Sequence, residues 1–184
     1  TALRGARVEK IYQPSREEIL LFCRVGRETE KLIISASPVS ARICFTETAG
    51  ENPAAPPMFC MLLRKHLTGA QIESVETVGF ERAIKITFAC HDELGFECRR
   101  YLIAEIMGKY SNIIFAGDYD GKMKILGVTK PVDMTTSSRR QLLTGMIYQS
   151  PPPQDKASPL DETEEGFLSR FENYPQGKDA ERFF

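Results

Sequence analysis

Chemistry in these 184 residues would have to come from two histidines, five cysteines and a few isolated acids. His66 reads as a helix-end residue and His91 as a turn residue, and neither has an acid or thiol at metal-ligand spacing. Glu105 ends an apolar stretch, so its carboxylate needs a partner if it is buried. The turn Gly108-Lys109-Tyr110-Ser111-Asn112 is the nearest source of donors, and this is a structural role rather than acid catalysis. The phosphate-loop, dinucleotide-binding, zinc-protease and serine-hydrolase signatures are all absent. The expectation is a protein without a catalytic centre, a metal or a cofactor.

The cations support a different chemistry. Arg64 and Lys65, Arg82 beside a turn, and Lys109 with Asn112 in another turn can each face an anion, because arginine at a turn engages phosphate through two N–H groups at once. Arg99-Arg100 and Arg139-Arg140 are further basic pairs that read as surface charge. With a formal net charge of -1, any nucleic-acid binding must use a local patch and not a generally cationic surface.

These residues hang on short strands. Val8–Tyr12, Ile19–Val25, Leu32–Ala36 and Ala41–Phe45 are apolar segments closed by Pro14, Gly26 and Pro38. A loop rich in Pro and Gly follows, and then Pro57 to Leu67 reads as the one well-punctuated helix of the first half. Two prolines precede it, Gly69 follows it, and Arg64-Lys65-His66 fill its last turn, where cations complement the helix dipole. The strand pattern resumes in Gln71–Val78, Ala83–Phe88, Cys98–Ile106, Asn112–Ala116 and Met123–Val128, with Asp120-Gly121 as a hairpin turn. The fold class expected is α+β, mostly antiparallel β: a sandwich or flattened barrel of about nine strands with an inserted helix.

Composition shifts after Val132. A short helix is expected around Arg139–Leu143, Pro151-Pro152-Pro153 reads as a stiff spacer, and Asp161–Phe171 reads as a helix with an acidic first turn. Residues 178–184 look like the beginning of another. The domain reading is therefore 1–150 as one unit and 151–184 as a Pro-rich spacer leading into a helical module.

The odd cysteine count without CxxC spacing suits reduced thiols, with Cys23, Cys44 and Cys60 inside apolar runs, and points to a cytoplasmic protein. The longest apolar run is too short to cross a bilayer, so no membrane partner is expected. Because the first residue is Thr, the native N-terminus is expected to lie upstream.

Several ordered segments together resemble a known family. They are Ile11-Tyr12-Gln13-Pro14, Ser35-Ala36-Ser37-Pro38, Glu51-Asn52-Pro53, the stretch Pro56 to Leu67, Glu105 to Ile114, and Tyr148-Gln149-Ser150-Pro151-Pro152. The chain resembles the N-terminal NFACT domain of the RqcH family, whose bacterial members have long been labelled fibronectin-binding protein A. That resemblance implies a fold like the N-terminal β-sandwich of formamidopyrimidine-DNA glycosylases. It also implies a role in ribosome-associated quality control, with alanyl-tRNA recruited to large ribosomal subunits obstructed by peptidyl-tRNA and stalled chains tailed with alanine. The family's tRNA-contacting Asp-Arg dipeptide falls on Glu81-Arg82, one methylene longer in the acid. Residues from 156 onward would open the family's helix-hairpin-helix-containing module. Two alternatives stay open: a surface adhesin whose partner is fibronectin, and a glycosylase-like nucleic-acid enzyme.

Overall fold

The computed structural model describes residues 2–48, 50–79, 81–152 and 161–173. The chain divides into two units, Thr1–Pro151 and Pro152–Phe184. The first unit contains β1 (Arg7–Ser15), β2 (Glu18–Val25), β3 (Glu28–Ser35), β4 (Arg42–Phe45), α1 (Met58–Leu67), β5 (Gln71–Thr77), β6 (Ala83–His91), β7 (Glu97–Glu105), β8 (Asn112–Tyr119) and β9 (Lys122–Val128). A single 3-10 turn, Gly108–Tyr110, sits between β7 and β8.

The strands form one sheet in the order β4-β3-β2-β1-β5-β6-β7-β8-β9, and every neighbouring pair is antiparallel. The mostly antiparallel α+β class therefore holds, and the strands are linked in one hydrogen-bonded order. Its two meanders meet at a narrow join, Arg7 opposite Gln71, extended by Val8 N–H donating to Ala70 C=O at 2.9 Å and Gly69 N–H donating to Val8 C=O at 2.8 Å. Tight turns explain the meanders. Asp120 and Gly121 both adopt positive φ, 52° and 70°, the left-handed pair that a two-residue hairpin requires.

The meanders share one apolar core with α1. The helix starts at Pro57, whose fixed φ of -60° suits a helix start, and it ends as Gly69 swings to φ 84°. Cys60, Leu63 and Leu67 are spaced to share one stripe and are fully buried, whereas Met58 and Met61 face solvent. The apolar run Met58–Leu63 is thus not wholly core. Phe59 and Leu62 press on β9 at Gly127, where an added Cβ would stand 2.7 Å from Leu62 Cδ2.

A second, smaller core lies under the segment after β9. Ile103, Ile114 and Ile125 from the sheet are covered by Leu142 and Tyr148. This segment is held by an antiparallel bridge between Val132 and Leu142 and another between Lys124 and Ile147. The helix expected at Arg139–Leu143 does not form, because Leu142 exchanges both backbone bonds with Val132 (2.8 and 3.1 Å) and is drawn into extended pairing.

In the second unit α2 spans Glu164–Glu172, with Thr163 Oγ1 accepting from Gly166 N–H at 3.1 Å as its cap and Glu164 and Glu165 in its first turn. The helix expected over 178–184 lies outside the described residues.

Candidate nucleic-acid interface

Arg82 stands where the turn after β5 enters β6. The turn is built by backbone bonds, Glu81 N–H to Val78 C=O at 3.1 Å and Val78 N–H to Ala83 C=O at 2.8 Å, and Gly79 takes a φ of 57°. The Arg82 carbonyl accepts from Ile106 N–H at 2.7 Å, and the side chain is exposed. Among the described residues no acceptor engages its guanidinium. Glu81 is half-buried, and no ion pair joins its carboxylate to Arg82.

Three residues beyond Ile106, the 3-10 turn projects Lys109 and Tyr110 at the same end of the sheet. The Lys109 ammonium lies 5.0 Å from the centre of the Tyr110 ring, which is 72% exposed. Arg139 is exposed nearby in sequence to Arg140, which is anchored to Glu105 at this same strand end. An exposed tyrosine ring with one cation against it, and cations that make no ion pair among the described residues, suits a base stacked on the open side of the ring and phosphates held by the cations. Tyr110 was not singled out from sequence, although an aromatic next to a lysine just past a glycine was the available signal.

Behind this surface lies a buried ionic cluster. Arg140 donates through Nη1 to Glu105 Oε2 at 3.0 Å and through Nη2 to Oε1 at 2.5 Å, and Tyr148 O–H donates to Oε1 at 2.9 Å. Glu105 does need a partner, as anticipated, but it draws its donors from the following segment and not from the Gly108–Asn112 turn. Burial, and then the Glu105 charge, push the Tyr148 hydroxyl pKa well above its usual range, so it stays a donor.

Asn112 is a correction. It is buried, its Nδ2 donates to Lys130 C=O at 2.6 Å, and its Oδ1 accepts from Ile113 N–H, Thr129 Oγ1 and Lys130 N–H at 2.9–3.0 Å. These four bonds tie β8 to the segment after β9, and a side chain buried in this way is not presented to a phosphate at the surface.

The helix cations are also spent and lie elsewhere. Arg64 Nε donates to Ile11 C=O at 2.7 Å with its guanidinium over the Tyr12 ring, and Lys65 pairs with Glu93 at 2.5 Å. Glu93 follows the far end of β6, and β6 alone separates the two ends by roughly 26 Å at about 3.3 Å per residue. The structure thus separates Arg64 and Lys65 from Glu81, Arg82 and Lys109.

At that far end a cavity of about 1000 Å³ opens between the end of α1 and strands β5–β8. Arg7, Lys65, Arg99 and Arg100 line it together with Glu73, Glu97, Asp118 and Asp120, so its charge is mixed. His66 has a lowered pKa there, first from burial and then from Arg100 and Lys65. Among the described residues no group of three or more His, Cys, Asp or Glu is placed to hold a metal, and no helix is long and apolar enough to cross a membrane.

Sequence and structure comparisons place the chain among known proteins. Residues 1–184 match the family described as NFACT N-terminal and middle domains. The chain is 38% identical over 174 residues to the Rqc2 homolog RqcH of Bacillus subtilis, covering 95% of this chain and 30% of that protein. It is 42% identical over 156 residues to the protein of that name from Streptococcus pneumoniae serotype 2, covering 85% of this chain and 28% of that one. The chain therefore spans under a third of these relatives. Among solved structures, the N-terminal domain of the fibronectin-binding protein PavA from Streptococcus pneumoniae superposes with a TM-score of 0.82 at 39% identity, over 95% of this chain and 64% of that one. The fibrinogen-binding protein from Staphylococcus aureus gives 0.78 at 34% identity, over 91% of this chain and 57% of that one.

Proposed function

The chain belongs to the NFACT N-terminal family, and on that premise we propose that it is the RNA-binding, non-enzymatic module of an RqcH-like factor in ribosome-associated quality control. In this reading the full-length protein works in the cytoplasm on large ribosomal subunits that carry peptidyl-tRNA, and this module grips alanyl-tRNA for untemplated alanine tailing. One observation supports the reading most directly: Arg82, the family-matched arginine, is exposed where the chain enters β6, with no acceptor among the described residues. A guanidinium with no acceptor among the described residues can take a phosphate or a base edge without first breaking an internal pair. Lys109 and Tyr110 beside it supply a second charge and a stacking face.

Retention of tRNA on filters by wild type and Arg82→Ala, alongside thermal melts of both, tests the proposal. Weaker retention with an unchanged melt supports it; equal retention defeats it. The glycosylase-like alternative needs an amine that condenses with an abasic site, and borohydride trapping on the full-length protein would reveal that adduct.

A second reading, fibronectin binding at the cell surface, is favoured by the names of the structural relatives. Fractionation distinguishes the two readings, since one predicts the ribosomal pellet and the other the cell-wall extract.

A further inference from the structure

Cys90 and Cys98 face each other across the β6–β7 hairpin, paired in register, with their sulfurs 3.9 Å apart. The other cysteines have no such partner among the described residues: Cys23 and Cys60 are buried in the main core, and Cys44 is exposed on the edge strand. The Cys90–Cys98 pair occupies a hydrogen-bonded position of the ladder. Ile106 N–H bonds Arg82 C=O and Asp92 N–H bonds Phe96 C=O, and residue 90 falls an even number of places from both 82 and 92 in an unbroken register. Such pairs hold their Cα atoms about 5.5 Å apart, inside the 4.4–6.8 Å range that a disulfide spans. Both cysteines also line the cavity of about 1000 Å³, whose charge is mixed and in which Arg99 pairs with Glu73 at 2.8 Å, so a small polar molecule has a route to the sulfurs.

We propose that Cys90 and Cys98 form a reversible dithiol–disulfide site that takes low-molecular-weight disulfides, such as glutathione disulfide, through this cavity. Cys98 is the more exposed sulfur and reacts first. Its thiolate attacks one sulfur of the small disulfide, forming a mixed disulfide and expelling a thiolate that takes up a proton. Cys90 then gives up its proton, attacks the Cys98 sulfur and expels the second small thiol. Two cysteine thiols and one small disulfide become one intramolecular disulfide and two small thiols, with two electrons passing from the protein to the reagent. The order follows from environment as well as access: burial, then Cys98 itself, raise the Cys90 pKa to about 12, so Cys90 is the poorer first nucleophile and attacks only when the mixed disulfide on Cys98 is held beside it. Closure locks the base of the hairpin whose tip holds Glu93, the partner of Lys65, and the exposed Leu94 and Phe96.

The experiment uses the full chain carrying Cys44→Ser, which removes the exposed competitor. The protein is treated with excess glutathione disulfide, free thiols are blocked with N-ethylmaleimide without denaturation, and digests are read by mass spectrometry. The expected result is one linked peptide pair joining Cys90 to Cys98, lighter by two hydrogens and released by dithiothreitol. Cys90→Ser should stop at a glutathione adduct on Cys98, and Cys98→Ser should leave Cys90 unmodified. Unmodified thiols at both positions, or a stable adduct on Cys98 in the chain that keeps Cys90, would overturn the proposal.

Discussion

Glu105 and Arg140 form a two-pronged ion pair across 35 residues of chain, with the carboxylate side chain 1% exposed and the guanidinium 11%. It fastens the segment after β9 onto β7, directly behind the surface that carries Arg82. Removing one partner leaves a buried charge alone, so Arg140→Ala should cost about 3–5 kcal/mol. Tyr148→Phe removes one of three donors to Glu105 and should cost about 1 kcal/mol. Urea unfolding of the two variants checks the order, and equal losses would refute the picture of Arg140 as the main anchor.

Asn112→Ala is expected to behave as a stability variant. It leaves the Lys130 backbone N–H and C=O and the Thr129 O–H donor without their Asn112 partner, although Thr129 Oγ1 still accepts from Ile113 N–H, and each orphaned group costs about 1–3 kcal/mol. The midpoint of chemical unfolding should fall while tRNA affinity of the folded fraction stays put. A loss of affinity without a loss of stability would return Asn112 to the binding surface.

Sequence revealed what local chemistry controls and missed what distant partners decide. The helix Met58–Leu67 was legible from its prolines, its final cations and Gly69, and the Asp120-Gly121 turn from its positive-φ residue types. Arg139–Leu143 misled because its helical preference is weaker than pairing with Val132, ten residues upstream of Leu142. Asn112 and Arg64 looked available because their partners, Lys130 and Ile11, are 18 and 53 residues away. Cys44 looked buried because an apolar run on an edge strand cannot show which of its faces lacks a covering layer. The join of β1 to β5 was illegible for the same reason: it links Arg7 to Gln71, which no spacing connects.

Gly127→Ala probes how closely α1 lies on the sheet. The new methyl would meet Leu62 Cδ2 at 2.7 Å and Phe59 Cδ2 at 3.2 Å, and Leu62 must turn away to admit it. Overpacking of this kind costs about 1–3 kcal/mol. Leu62→Ala in the same chain should recover part of the loss, and a double-mutant cycle with no coupling would show the helix to sit further off.

Stability should fall in mild acid through His66. Its folded pKa lies below the ordinary 6.5, because burial, Arg100 and Lys65 all oppose the charged ring, with Glu93 opposing them weakly. The unfolded chain then binds the proton more readily than the fold. Stability is full above 6.5 and declines as pH falls through that value. Urea midpoints at about pH 7.5 and about pH 5 should differ less in His66→Gln than in wild type. An identical difference in both would assign the acid sensitivity to other groups.

The separation of Arg82 from Lys65 by the length of β6 gives the RNA reading its most discriminating test. If tRNA lies on the Arg82 end, Arg82→Ala removes a charge-assisted bond worth about 1.5–3 kcal/mol, or roughly ten- to a hundredfold in affinity. It also releases one fewer counterion, so the slope of log affinity against log salt should flatten by about 0.7–0.9. Lys109→Ala should flatten the slope by a similar amount, and Tyr110→Ala should weaken binding at every salt concentration without changing the slope, because stacking displaces no ions. Lys65→Ala breaks only the exposed pair with Glu93 and should leave both affinity and slope alone. A salt series showing the Lys65 effect and not the Arg82 effect would move the interface to the cavity end of the sheet.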